Sequence, residues 1–364
     1  MMNILILSGK FGMGHVAAAA ALQSQMQARF PGARVTVCDI VEHLMPQGSG
    51  TLYRSFSVLV RHAKLLYNLY YTGSDKLPQP CKNAAAGIFL RSFRRLMLLW
   101  QPDVVIATLP FGAQLVSFYK KLYPGSLCAV TCITDVSAHN EWISPDTDLY
   151  FVPAAEVKWE LMRKGIAADK IQVSGIPVRD QFHCGGDGTS HTGRELLICG
   201  GGLCLLPRQG SKFYSALSRV PGLHTTILTG TNRTLYEKLQ GRWDNIDVVS
   251  FTDHVEEYMR GADLLLSKPG GITLFESIYE GVPMLVCRPE LGQEKKNARF
   301  IERHDIGRVC WEKSDDVVAE IVDLLDDTEQ LARMRENIKA VRRSLHKDPA
   351  AAIARQIQWQ EVAQ

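Results

Sequence analysis

The sequence predicts an α/β protein made of two doubly wound, Rossmann-like domains. Three observations carry this expectation. Short apolar runs alternate with longer helical patterns, the rhythm of βαβ units and parallel sheets. These runs fall into two sets of six. The length, 364 residues, is too great for one ordinary core and suits two.

In the first half, strands are expected at Asn3–Ser8, Arg34–Asp39, Val104–Thr108, Leu127–Ile133, Leu149–Val152 and Ile171–Val173. In the second half they are expected at Glu195–Cys199, His224–Leu228, Ile246–Ser250, Leu264–Ser267, Met284–Cys287 and Gly307–Val309. Between the halves, residues 183–193 read HCGGDGTSHTG, a polar, glycine-rich linker composition. The domains are therefore placed at 1–180 and 194–345, with the linker at 181–193. Periodicity is helical from about Asp315, Pro349 interrupts it, and residues 346–364 form a last helix.

Composition narrows the class. Apolar content of 46% and charged content of 22% are those of a soluble globular protein. The nine cysteines are scattered without CxxC spacing, which argues for reduced core cysteines in a cytosolic protein and against zinc. No apolar stretch reaches the length of a membrane span, so any membrane contact is peripheral. Net charge is only +3, but from His43 to Pro102 eight Lys and Arg face one acid, Asp75. Within this stretch, Thr51–Tyr71 places Tyr53, Phe56 and Tyr67 near helical spacing among Arg54, Arg61 and Lys64. It reads either as a basic amphipathic helix lying on anionic lipid or as a core helix with a solvated basic face. No nucleic-acid module is present, so nucleic acid is not an expected partner.

Several turns carry chemistry. Ser8-Gly9-Lys10-Phe11-Gly12-Met13-Gly14-His15 follows the first strand and opens an alanine-rich helix. A histidine at a helix N-terminus tends to stay neutral, as a general base requires. Asp135, in Thr134-Asp135-Val136-Ser137-Ala138-His139-Asn140-Glu141-Trp142, ends a buried strand and either orients a histidine, takes a proton itself or caps a turn. His139 and Trp142 are candidates for an acceptor-facing wall. Gly201, in the Gly200–Gly202 run, is either a diphosphate contact or a tight turn. Phe251 and Thr252 end a strand where a nucleobase fits. Lys268-Pro269-Gly270-Gly271-Ile272-Thr273 leads into a helix opened by Thr273, with Glu276 one turn on. Bare glycines at a helix N-terminus admit a diphosphate, and a carboxylate one turn later accepts from sugar hydroxyls.

This ordered set, closed by Gly292-Gln293-Glu294-Lys295-Lys296-Asn297, resembles the monogalactosyldiacylglycerol synthases and processive diacylglycerol glucosyltransferases over about residues 3–310. The resemblance implies a GT-B fold, two Rossmann-like domains facing a cleft. It implies an inverting, metal-independent hexosyltransferase that moves a hexose from a UDP-sugar to a membrane lipid hydroxyl, diacylglycerol first, giving a β-glycolipid. No cofactor is expected. His15 is then the base candidate, with Asp135 its partner or rival. Donor contacts fall to Gly14, Gly201, Phe251, Thr252, Pro269, Gly270, Gly271, Ile272, Thr273, Glu276, Gln293, Glu294 and Asn297. The resemblance also favours the lipid reading of Thr51–Tyr71, on the cytoplasmic face of a membrane. A polyprenyl-linked or small-molecule acceptor, a nucleotide-sugar epimerase and a non-catalytic UDP-sugar sensor remain alternatives.

Overall fold

The computed structural model describes residues 2–76, 80–184, 194–200, 210–345 and 348–362. The chain forms two compact units. The first comprises Met1–Asp180, Leu291–Gln293 and Leu345–Gln364; the second comprises Gln181–Glu290 and Glu294–Ser344.

The first unit runs β1 (Asn3–Ser8), α1 (Met13–Arg29), β2 (Arg34–Asp39), α2 (Ile40–Leu44), α3 (Ser49–His62), α4 (Lys64–Lys76), α5 (Pro80–Trp100), β3 (Val104–Ala107), α6 (Pro110–Leu122), β4 (Cys128–Cys132), β5 (Leu149–Val152), α7 (Ala155–Arg163) and β6 (Ile171–Val173). Its parallel sheet has the order β2-β1-β3-β4-β5-β6. Alternation along β1 divides two cores. Ile4 and Ile6 pack with Leu22 and Met26 of α1, whereas Leu5 and Leu7 pack with Phe93, Leu96 and Met97 of α5. The order reverses between β1 and β3, so the carboxyl ends of these two strands flank a crevice of the kind that binds ligands in open parallel sheets.

The second unit runs β7 (Arg194–Cys199), α8 (Ser211–Leu217), β8 (Leu223–Leu228), α9 (Arg233–Leu239), β9 (Ile246–Val249), α10 (Val255–Arg260), β10 (Leu264–Ser267), α11 (Gly271–Glu280), β11 (Met284–Cys287), α12 (Gly292–Arg303), β12 (Gly307–Cys310), α13 (Val317–Asp326) and α14 (Thr328–Arg343). Its sheet order, β12-β11-β10-β7-β8-β9, puts the reversal between β7 and β10. A final helix, α15 (Pro349–Val362), belongs to the first unit, where Ala350, Ala352 and Ile353 join Ile4, Ile6 and Leu22.

All twelve expected strands are present, within a residue at each end. Three expectations need correction. Thr51–Tyr71 is not one helix: the Ala63 amide closes α3 on the Leu59 carbonyl, Ala63 leaves helical geometry (φ −126°, ψ 45°), and α4 starts afresh. The two helices pack inward on different loops, which a single straight helix would not reach. Second, α11 begins at Gly271, not Thr273. Third, residues 181–184 of the expected linker continue a 3-10 turn, Asp180–Cys184, and group with the second unit; residues 185–193 lie outside the described residues.

Candidate active site

One candidate site, in the first unit, grows from the switch point of its sheet. β1 ends at Ser8, Gly12 stands at the N-cap of α1, and His15 is the third residue of that helix. β3 ends beside it, and the next residue, Thr108, turns its carbonyl to the ring: His15 Nδ1 lies 2.7 Å from that oxygen. A carbonyl only accepts, so Nδ1 carries the proton and the basic lone pair of the neutral ring is on Nε2. Thr134 Oγ1, just beyond β4, stands 3.0 Å from the same Nδ1. The hydroxyls of Ser8 and Thr108 both donate to the His15 carbonyl, at 3.0 and 3.2 Å. Burial pushes the His15 pKa below its ordinary 6.5, while the Asp135 carboxylate and the Thr108 carbonyl pull the other way. The ring is therefore neutral near neutral pH, and its free tautomer is set by the fold.

The loop after β4 does not present the wall expected of it. His139 is 2% exposed and Trp142 3%. His139 Nε2 donates to the Tyr71 carbonyl at 2.7 Å, and Nδ1 accepts from the Glu141 amide at 3.2 Å. Both ring nitrogens thus serve the fold. The Trp142 ring packs 6.3 Å from the His15 ring instead of facing solvent.

Side chains of α3 frame the turn that carries His15. The Tyr53 hydroxyl donates to Asp39 Oδ1 at 2.6 Å, and that same oxygen caps α2 through the amides of Val41 and Glu42. Phe11 lies edge-on to both Tyr53 and Phe56, each at 5.0 Å. Asp39 ends β2, where a nucleotide-binding unit places the acid that grips ribose. Here Tyr53 and the two amides all engage Oδ1, and Oδ2 is buried with no hydrogen-bond partner among the described residues.

The lipid-facing residues expected on this stretch divide. Arg54 is exposed, Tyr53, Phe56 and Lys64 are half-buried, and Tyr67 is buried. The side chain of Arg61 lies outside the described residues. The outward apolar groups are instead Leu65, 74% exposed, with Leu66 and Leu69, each 61%, one stripe of α4. Ile88, Leu98 and Leu99 make a similar exposed set on α5, among Arg91 and Arg95. Periodicity missed Leu65 and Leu69 because α4 was read as a continuation of α3.

A separate candidate site lies in the second unit, at the switch point of its sheet. β10 ends at Ser267, whose hydroxyl donates to the Cys199 carbonyl at the end of β7. The turn Lys268–Gly270 then feeds α11, whose N-cap, Gly270, offers no side chain to the first amides. A Cβ on Gly270 would meet only Thr273 Oγ1, at 3.8 Å, so the space over this turn is open to a ligand. Amides at a helix N-terminus lack intrahelical acceptors and attract a phosphate. Ile272 is buried, whereas Thr273 and Glu276, one turn apart, share the partly exposed face of α11. Asn297, fully buried, donates from Nδ2 to the Pro269 carbonyl at 2.8 Å and so fixes the turn.

Glu294 accepts from the Glu290 amide at 2.9 Å and lies 3.5 Å from Lys268 Nζ. This ion pair stitches the two motifs together, a link the sequence reading did not anticipate. Gln293 groups with the first unit, where its side-chain oxygen accepts from the Tyr67 hydroxyl at 3.1 Å. Phe251 is 59% exposed, and Thr252 Oγ1 accepts from the His254 amide at 3.1 Å. Gly201 lies outside the described residues. Among the described residues, His254, Glu256 and Glu257 bring potential metal-ligating atoms within 4.8 Å of one another, at the start of α10.

Comparison with known proteins follows this division. The sequence profile of the monogalactosyldiacylglycerol (MGDG) synthase family matches residues 15–178. That of the glycosyltransferase family 28 C-terminal domain matches residues 216–349. A processive diacylglycerol beta-glucosyltransferase of Bacillus cereus (strain AH187) is 30% identical over 357 residues, covering 94% of this chain and 90% of the relative. That of Bacillus subtilis (strain 168) is 29% identical over 354 residues, covering 93% and 90%. Among solved structures, the spinosyn rhamnosyltransferase SpnG superposes with a TM-score of 0.66 at 16% identity, covering 98% of this chain and 100% of that one. MurG of Acinetobacter baumannii superposes with a TM-score of 0.63 at 16% identity, covering 98% and 99%. These structural likenesses show the fold, GT-B. Among the described residues, no helix is long and apolar enough to cross a membrane.

Proposed function

Since the chain belongs to the monogalactosyldiacylglycerol synthase and processive diacylglycerol glucosyltransferase family, and is a hexosyltransferase of GT-B fold, we propose that it moves a hexose from a UDP-sugar to the hydroxyl of diacylglycerol. The observation that carries the chemistry is the Thr108 carbonyl at His15 Nδ1, which leaves Nε2 as the basic atom. His15 Nε2 takes the acceptor proton as the hydroxyl oxygen attacks the anomeric carbon. The bond from that carbon to the diphosphate oxygen breaks, and UDP leaves with the electron pair. Attack from the face opposite UDP inverts the centre and gives a β-glycolipid. Asp135 favours the imidazolium that forms.

On this reading the amides and dipole of α11 hold the diphosphate and stabilise the leaving charge, a task that otherwise falls to a metal. Thr273 and Glu276 meet donor hydroxyls on one face of α11. Asn297 acts by fixing the turn, and Glu294 is oriented by Lys268. Phe251 and Thr252 stand by the base. The exposed leucines of α4, with the apolar and basic groups of α5, rest on an anionic membrane surface at its cytoplasmic face.

Purified protein incubated with UDP-sugars and diacylglycerol-containing vesicles should yield a lipid heavier by one hexose. UDP release with no glycolipid would sink the acceptor assignment. Isomerised UDP-sugar formed without acceptor would sink the transferase assignment.

A further inference from the structure

The loop that completes the surroundings of His15 has little regular structure of its own. Its internal bonds are short-range: Ser137 amide to Asp135 carbonyl, Trp142 amide to His139 carbonyl, and Ile143 amide to Asn140 carbonyl. Yet it reaches His15 through Thr134 Oγ1, the Trp142 ring and the charge of Asp135. Something else must hold it in place, and most of the ties lead to α4. The Tyr71 hydroxyl pairs with Ser137 Oγ at 3.1 Å, and the Tyr70 hydroxyl donates to Glu141 Oε1 at 2.7 Å. The Asn140 amide donates to Asp75 Oδ1 at 2.7 Å, and the Asn140 side chain donates to the Asp75 carbonyl. At the centre is His139, its ring tilted 30° to that of Tyr71 with centroids 4.3 Å apart, donating to the carbonyl of that same residue. A neutral imidazole supplies one donor and one acceptor on opposite edges of a rigid ring. Here the donor crosses to α4 and the acceptor serves the loop itself.

We propose that His139 is a positioning residue for sugar transfer: its Nε2–H bond to the Tyr71 carbonyl, backed by the Asn140–Asp75 contacts, lets α4 hold residues 134–142 against His15. The proposal rests on His15 being the base. The opposite stripe of α4, Leu65, Leu66 and Leu69, is exposed.

Two substitutions separate the halves of the ring. His139→Asn keeps an acceptor near the Nδ1 position for the Glu141 amide but falls short of Tyr71. His139→Gln places a donor near the Nε2 position and restores the bridge. In the full-length protein, His139→Asn is expected to lower kcat at least tenfold while KM for the UDP-sugar stays within twofold. It is also expected to speed amide hydrogen exchange across residues 134–142 and to move the acid limb of the kcat/KM profile. His139→Gln is expected to stay within threefold of the parent. The proposal is overturned if His139→Asn keeps kcat within twofold, or if both variants lose activity equally without faster exchange in the loop. Should both misfold, Asp75→Ala, at the partly exposed end of α4, takes their place; parent-like kcat and exchange there would overturn the proposal too. Harmless His15→Ala would refute the base assignment alone, because the exchange readout needs neither donor nor acceptor.

Discussion

Replacing Asn297 by alanine tests the donor seat proposed at the start of α11. The side chain is fully buried, and its Nδ2 donates to the buried Pro269 carbonyl at 2.8 Å. Alanine removes the donor and leaves that buried carbonyl without it, at a cost of about 1–3 kcal/mol. If the cost falls on the turn at the start of α11, UDP must re-form the turn to bind, and its Kd rises about 5- to 150-fold. If the cost is instead spread over the second unit, binding is spared and only the melting temperature falls, by about 2–4 °C per kcal/mol for a unit of this size. Calorimetric titration of UDP and a thermal melt on the same sample distinguish the two. A Kd within twofold of the parent, beside a melting temperature lowered by several degrees, would refute the claim that Asn297 shapes the diphosphate seat.

His15→Ala should lower kcat by about 10²- to 10⁴-fold, the usual contribution of a positioned base, with little change in UDP affinity; activity within a few-fold of the parent would remove His15 from that role. Because burial holds the His15 pKa below 6.5, the acid limb of kcat/KM should lie under pH 6.5, and Asp135→Asn should move it lower still. The same shift has a stability sign: the unfolded chain binds the proton more readily, so this contribution is present above pH 6.5 and is lost as pH falls below it. Replacing Leu65, Leu66 and Leu69 together by serine should cut vesicle flotation at least tenfold while leaving the melting temperature within about 1 °C, since all three are exposed; undiminished flotation would move the membrane contact elsewhere.

The strands were legible because central strands of a parallel sheet are buried on both faces and read as continuous apolar runs. β3, β4, β10 and β11 are buried at every residue. Glycine turns at strand ends then marked both switch points. What the sequence concealed were roles fixed by partners distant in the chain. Nothing local says that Thr108 sets the tautomer of a histidine 93 residues away. His139 read as part of an acceptor-facing wall because it sits among chemistry-bearing residues, but its hydrogen bonds are structural and reach back to Tyr71. The break at Ala63 carries no proline or glycine signal. It follows from where α3 and α4 must each pack, and it hid Leu65 and Leu69.

The return of α15 to the first unit has a consequence for biosynthesis. Ala350, Ala352 and Ile353 share a core with Ile4, Ile6 and Leu22. As the chain leaves the ribosome, the first sheet has its last strand at Val173 but waits until Ala350, Ala352 and Ile353 emerge before this core is closed. The second unit, whose residues end at Ser344, has every one of its strands in hand before then. The order of completion is therefore the reverse of the order of synthesis. The unit that carries His15 is finished last, and until then it exposes apolar surface for a chaperone to guard.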